Sequence, residues 1–88
     1  MSKRREQWCD FSDEVENHIE DYTVKQYGDM PTDQASSFTL EDFKRELQKY
    51  CNRMGSGVRG PEEQERDFKK IAHYACMGLA RFRADRKK

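Results

Sequence analysis

The sequence predicts an all-α fold, a three-helix bundle, on three observations. Apolar residues recur at spacings of three and four in three separate stretches, the period of one helix face. Helix-start and helix-stop chemistry brackets the later stretches: Thr39 ahead of an acidic turn, then Gly55, then Pro61 at a first helical position. Turn-forming residues gather in two connecting segments, a long one between the first two helices and a glycine-rich one between the second and third.

The first helix is expected at about residues 4–22. Trp8, Phe11, Val15, Ile19 and Tyr22 form its apolar stripe, with His18 beside Ile19. Between them stand Asp10, Asp13, Glu14, Glu16, Asn17, Glu20 and Asp21, an exposed face whose carboxylates repel one another. Residues 23–38 lose the helical period, and Gly28-Asp29, Met30-Pro31 and Ser36-Ser37 are turn chemistry. A connection of that length is long for a small helical domain and is expected either to pack through Val24, Tyr27 and Phe38 or to serve a function.

The second helix starts at Thr39-Leu40-Glu41-Asp42, a near capping box with acids in the first turn. Its stripe is Leu40, Phe43, Leu47, Tyr50, Cys51 and Met54, and Gly55 supplies the stop. The third helix is expected over 61–84, burying Phe68, Ile71, Ala72, Ala75, Leu79 and Phe82, with Cys76 on the flank. Ala72, Ala75 and Gly78 are small enough for close helix–helix approach, and the Arg/Lys-rich end suits a helix C-terminus. The 88 residues read as one domain, with 1–4 and 85–88 frayed.

Composition limits what such a chain can do. Apolar residues make up 34 % and charged residues 39 %, so the core is thin, and a homodimer or a docked partner would bury more. The formal net charge is zero, yet residues 10–42 hold ten acids against the single base Lys25, while residues 43–88 hold thirteen bases against six acids. Such a dipole orients partners during encounter. Cys9, Cys51 and Cys76 form no disulfide framework, no leader-type or bilayer-length apolar run appears, and the expected location is a reducing bacterial cytoplasm with no membrane contact.

Several groups offer chemistry. The acidic face with its aromatics, namely Asp13, Glu16, Glu20, Tyr22, Tyr27, Asp29 and Phe38, reads as a docking surface for a protein with a basic surface. The Asp13, Glu16, Glu20 row also has the spacing to share a divalent cation, though a solvated acidic face is the plainer account. Arg53, Gly55, Gly57 and Arg59, ahead of a helix N-terminus, have anion-site chemistry, opposed by Glu62, Glu63 and Glu65 just beyond. The basic C-terminal segment has nucleic-acid chemistry, opposed by the acidic half. His73 and Cys76 stand at metal-ligand spacing with no second pair, and no cysteine has a base placed beside it, so no metal, cofactor or catalytic residue is assigned.

Two segments carry a resemblance. Tyr22-Thr23-Val24-Lys25-Gln26-Tyr27-Gly28-Asp29, and Lys49-Tyr50-Cys51-Asn52-Arg53 with Arg66-Asp67-Phe68-Lys69-Lys70-Ile71-Ala72-His73-Tyr74-Ala75, resemble small uncharacterised proteins of tailed phages and prophages. That resemblance implies a small non-catalytic protein that binds and modulates a host protein, for instance in counter-defence. The same segments are similar to MazG-like all-α nucleotide pyrophosphohydrolases, where acids ahead of an Ala-x-Tyr-Ala run hold magnesium. Carried over, Glu62, Glu65 and Asp67 would face Glu16 and Glu20, with Lys70 where a second acid would serve and no fourth long helix. The enzyme so implied is a magnesium-dependent or degenerate nucleotide-binding relative.

Overall fold

The computed structural model describes residues 1–29, 37–55 and 60–87. Three helical rods account for nearly all of them, and no strand occurs among the described residues. The first rod comprises α1 (Lys3–His18), a π turn (Ile19–Thr23) and α2 (Val24–Tyr27). The second is α3 (Leu40–Arg53) and the third α4 (Gly60–Arg86).

Ser2 opens α1, its hydroxyl accepting from the Arg5 N–H at 3.2 Å. The rod then runs on past Tyr22, where the sequence predicts a loop. Backbone torsions stay helical through the π turn, and the Val24 N–H donates to the Ile19 carbonyl, five residues back. Keeping that ladder satisfied carries Thr23 and Val24 into the helix despite their β-branched side chains. The stop comes at Gly28, at φ +86°, whose N–H donates to Val24 at 2.8 Å. The expected 23–38 loop is therefore shortened at its start, and residues 30–36 lie outside the described residues.

The predicted start of the second helix is a complete capping box. The Asp42 N–H donates to the Thr39 hydroxyl at 3.2 Å, and the Thr39 N–H donates to the Asp42 carboxylate at 2.9 Å. The backbone donor of Thr39, then its hydroxyl, holds the Asp42 carboxyl below its ordinary range, with Arg45 adding to the effect. Replacing Thr39 by Ala is expected to lower stability by about 1 kcal/mol. The check is the thermal midpoint; an unchanged midpoint would mean that packing on α4 alone holds α3.

Helix α3 lies along α4, and the first rod crosses α4 nearer its N-terminal half. The core they enclose is small: Phe43 and Tyr50 are its buried apolar members, with His18 and Asp67 buried beside them. Phe43 packs against Phe38 (ring centroids 5.2 Å) and Tyr74 (6.4 Å), and its Cβ abuts Gly78. The radius of gyration is 14.2 Å, against about 12 Å for a compact chain of this length.

The face of α4 turned inward only partly matches the apolar pattern. Asp67, Tyr74 and Gly78 meet the core and the predicted Ile71 and Ala72 are half-buried, whereas Phe68, Ala75, Leu79 and Phe82 are exposed. Phe43 of α3 packs edge-on to Tyr74 and lies against Gly78, which turns this side of α4 toward the core. On α3, too, Leu40, Cys51 and Met54 of the predicted stripe stay exposed.

Candidate functional site

Two side chains of the first rod face α4: His18, just before the π turn, and Tyr22, within it, with Ile19 half-buried beside them. The His18 and Tyr22 rings stack at 5.2 Å with an interplanar angle of 17°. His18 is the most enclosed residue of the rod, at 8 % exposure.

Tyr22 is covered from the α4 side by two cations. The Arg66 guanidinium lies 4.6 Å and the Lys70 ammonium 5.5 Å from its ring centroid. Lys70 also stands 5.4 Å from the Tyr50 ring, so one ammonium joins an aromatic of the first rod to an aromatic of α3. The residue that occupies an acid's place in the enzyme resemblance thus acts here as a cationic bridge between rods. Tyr50 and Tyr74 approach at 5.7 Å, and burial above all, then Glu46, pushes the Tyr50 hydroxyl above its ordinary pKa.

Beneath this junction His18, Tyr22, Tyr27, Tyr50, His73 and Tyr74 help line a cavity of about 40 Å³. That volume suits a water molecule and falls far short of the roughly 300 Å³ where small-molecule pockets begin. Both histidines titrate below the ordinary value. For His18 the first cause is burial, followed by Lys69, Lys70, His73 and Arg66; for His73 it is burial. This cavity is therefore a polar packing junction, too small to enclose a substrate.

Outside it, the charged surface divides by rod. On α3 and α4 four of the eight acids are neutralised locally: Asp42 by Arg45 at 2.9 Å, Glu46 by Lys49 at 2.8 Å, Glu63 by Arg66, and Asp85 by Arg81 at 3.2 Å, while Glu41, Glu62 and Glu65 are exposed without an ion pair among the described residues and Asp67 is buried. On the first rod, Asp10, Asp13, Glu14, Glu16, Glu20 and Asp21 are all exposed, and none forms an ion pair among the described residues. The rod has one strongly exposed aromatic near each end, Trp8 at 59 % and Tyr27 at 72 %.

Of the docking residues expected from sequence, Asp13, Glu16, Glu20, Tyr27 and Asp29 are on the surface. Tyr22 and Phe38 are half-buried: Tyr22 is held under Arg66 and Lys70, and Phe38 packs on Phe43, so neither is presented as a free anchor. Trp8, read as core, is exposed because it sits in the early turns of α1, its ring edge-on to Phe11 at 5.7 Å. In the anion-type loop, Arg53 lies over the Tyr50 ring at 5.5 Å and Gly55 adopts φ +72°, while Gly57 and Arg59 lie outside the described residues.

For the metal reading, no group of three or more His, Cys, Asp or Glu side chains comes together to hold an ion among the described residues. Asp67 is buried in the core, whereas Glu16 and Glu20 are exposed on the first rod. Cys51 and Cys76, read as packing residues, are exposed thiols, and Cys9 is half-buried. No helix among the described residues is long and apolar enough to cross a membrane. Comparison with known proteins gave no match to a family model, to a curated protein or to a solved structure.

Proposed function

We propose that this protein is a non-catalytic, phage-type interaction module that docks on a basic surface of a host protein through the first rod and thereby modulates it. The observation that supports this reading is the row of six uncompensated carboxylates on one rod, in a molecule whose α3 and α4 pair half of their acids within the same helix. Holding like charges on adjacent turns costs stability in the free protein, and a cationic partner relieves that cost. Tyr27, at the exposed end of the rod and next to the acidic Asp29, is the anchor of the interface, since binding energy concentrates in aromatics.

The mechanism is steered association. A strong dipole speeds encounter with an oppositely charged face, and salt screens that attraction over about 10 Å. The test is capture of the tagged protein's partner from bacterial lysate at low and moderate salt, followed by binding kinetics with the purified partner. Glu16→Lys with Glu20→Lys is expected to slow association by about tenfold or more and to flatten its salt dependence. Tyr27→Ala is expected to speed dissociation instead. Unchanged kinetics in the charge-reversed protein would remove the acidic face as the docking surface.

A further inference from the structure

One flank of α4 repeats apolar residues in the 4-3-4-3 spacing of a helix–helix seam: Phe68, Ala72, Ala75, Leu79 and Phe82. In this fold the core uses the adjoining side of the helix, which leaves Phe68 at 49 %, Leu79 at 46 % and Phe82 at 44 % exposure. Three large side chains in register along one surface helix are not the scattered exposed residues normal for a soluble domain. At Ala75 the seam opens into an apolar groove of about 490 Å³ between α3 and α4, walled by Leu40, Leu47 and Cys51.

We infer that this face is a homodimer interface, in which α4 pairs antiparallel with α4 of a second copy about a two-fold axis near Ala75. Charge on the helix fits that occupant and selects that direction. A two-fold axis at Ala75 sets Phe68 against Phe82 of the partner and Leu79 beside Ile71 and Ala72, with the two small Ala75 residues meeting at the centre. The same operation brings Glu65 of each copy level with Asp85 and Arg86 of the other; Asp85 is engaged by Arg81 of its own helix, which leaves Arg86, with Arg83 one turn away, to meet Glu65. A parallel pairing would instead stack Glu65 on Glu65 and Arg86 on Arg86. At about 40 Å, α4 is long enough for the seam to run most of the length of a small protein's interface, and the neighbouring α3 groove widens it.

Sedimentation or light scattering from low-micromolar to near-millimolar concentration tests the proposal. The wild-type protein is expected to shift from monomer to dimer within that range. Leu79→Glu is expected to stay monomeric while keeping its helical circular dichroism, since Leu79 lies outside the core. Direction is read from charge swaps: Glu65→Arg and Arg86→Glu each weaken the dimer, and the double variant restores it. A wild-type protein monomeric throughout would overturn the proposal and leave the seam to a different protein. A dimer that Leu79→Glu does not weaken would place the interface elsewhere, and one indifferent to the single charge swaps would overturn the antiparallel arrangement. None of these outcomes depends on the acidic rod, so they stand apart from the partner-binding test.

Discussion

Replacing Phe43 by Ala is expected to remove most of the stability of this domain. Phe43 is 2 % exposed and packs on all sides, against Phe38, Tyr74 and the backbone at Gly78. Truncating such a residue costs about 3–5 kcal/mol, from lost burial plus the cavity left behind. Small domains are stable by only about 5–15 kcal/mol in total, and a thin core places this one toward the lower end. The expected result is a chain that retains part of its helical signal but melts broadly and at low temperature, with weakened near-ultraviolet dichroism. Leu40→Ala, at an exposed position of the same helix, is expected to cost less than about 1 kcal/mol. Equal midpoints for Phe43→Ala and the wild type would mean that the described core does not hold the rods together.

Acid is expected to destabilise the fold through its two histidines. His18 and His73 both titrate below the ordinary value of 6.5, chiefly because burial disfavours the imidazolium. Around His18 stand Lys69, Lys70, His73 and Arg66, so a proton there adds to an already positive cluster. The unfolded chain therefore takes up protons more readily than the folded one as the pH falls through 6.5. The stabilisation is fully present above that pH and is lost progressively below it, down through the depressed folded-state values. Denaturant midpoints measured from mildly alkaline to mildly acidic conditions should fall in that window. His18→Gln with His73→Gln should flatten the slope there. A midpoint that does not change with pH across the window, or a slope that survives in the double variant, would show that neither histidine is held neutral by the fold.

These two predictions concern residues that the sequence displays very differently. Phe43 stands out at once, an aromatic in the middle of a stripe that begins from a recognisable cap. His18 does not. Its burial comes from packing against α4, near Arg66, Lys69 and His73, and nothing in the spacing of Trp8, Phe11, Val15 and Ile19 announces that contact. Lys70 is a similar case: a lysine among lysines in the sequence, and a bridge between Tyr22 and Tyr50 once three rods converge on it. The acidic face was readable, because a solvated run of carboxylates needs no partner to specify it. Its aromatic neighbours were only partly so. Tyr22 and Phe38 found cations and rings to pack on, whereas Tyr27 and Trp8 stayed exposed near the rod's ends.

What the sequence determined by itself is local. Helix class, the Thr39–Asp42 box, the segregation of charge along the chain and the thinness of the core all follow from interactions spanning three or four residues, or from composition alone. The tertiary structure decided which face of each helix is inside. On α4 the apolar seam and the inward face, where Asp67, Tyr74 and Gly78 sit, lie on adjoining sides, and each has a claim to burial. That choice goes to the side that packs on Phe43, through Tyr74 and Gly78, since interiors are close-packed and complementary shape decides which surfaces meet. The same selection sets His18 against α4 and leaves Phe68, Leu79 and Phe82 exposed to solvent. Shape complementarity between rods is a property of pairs of surfaces, and a single stretch of sequence carries only one of the two.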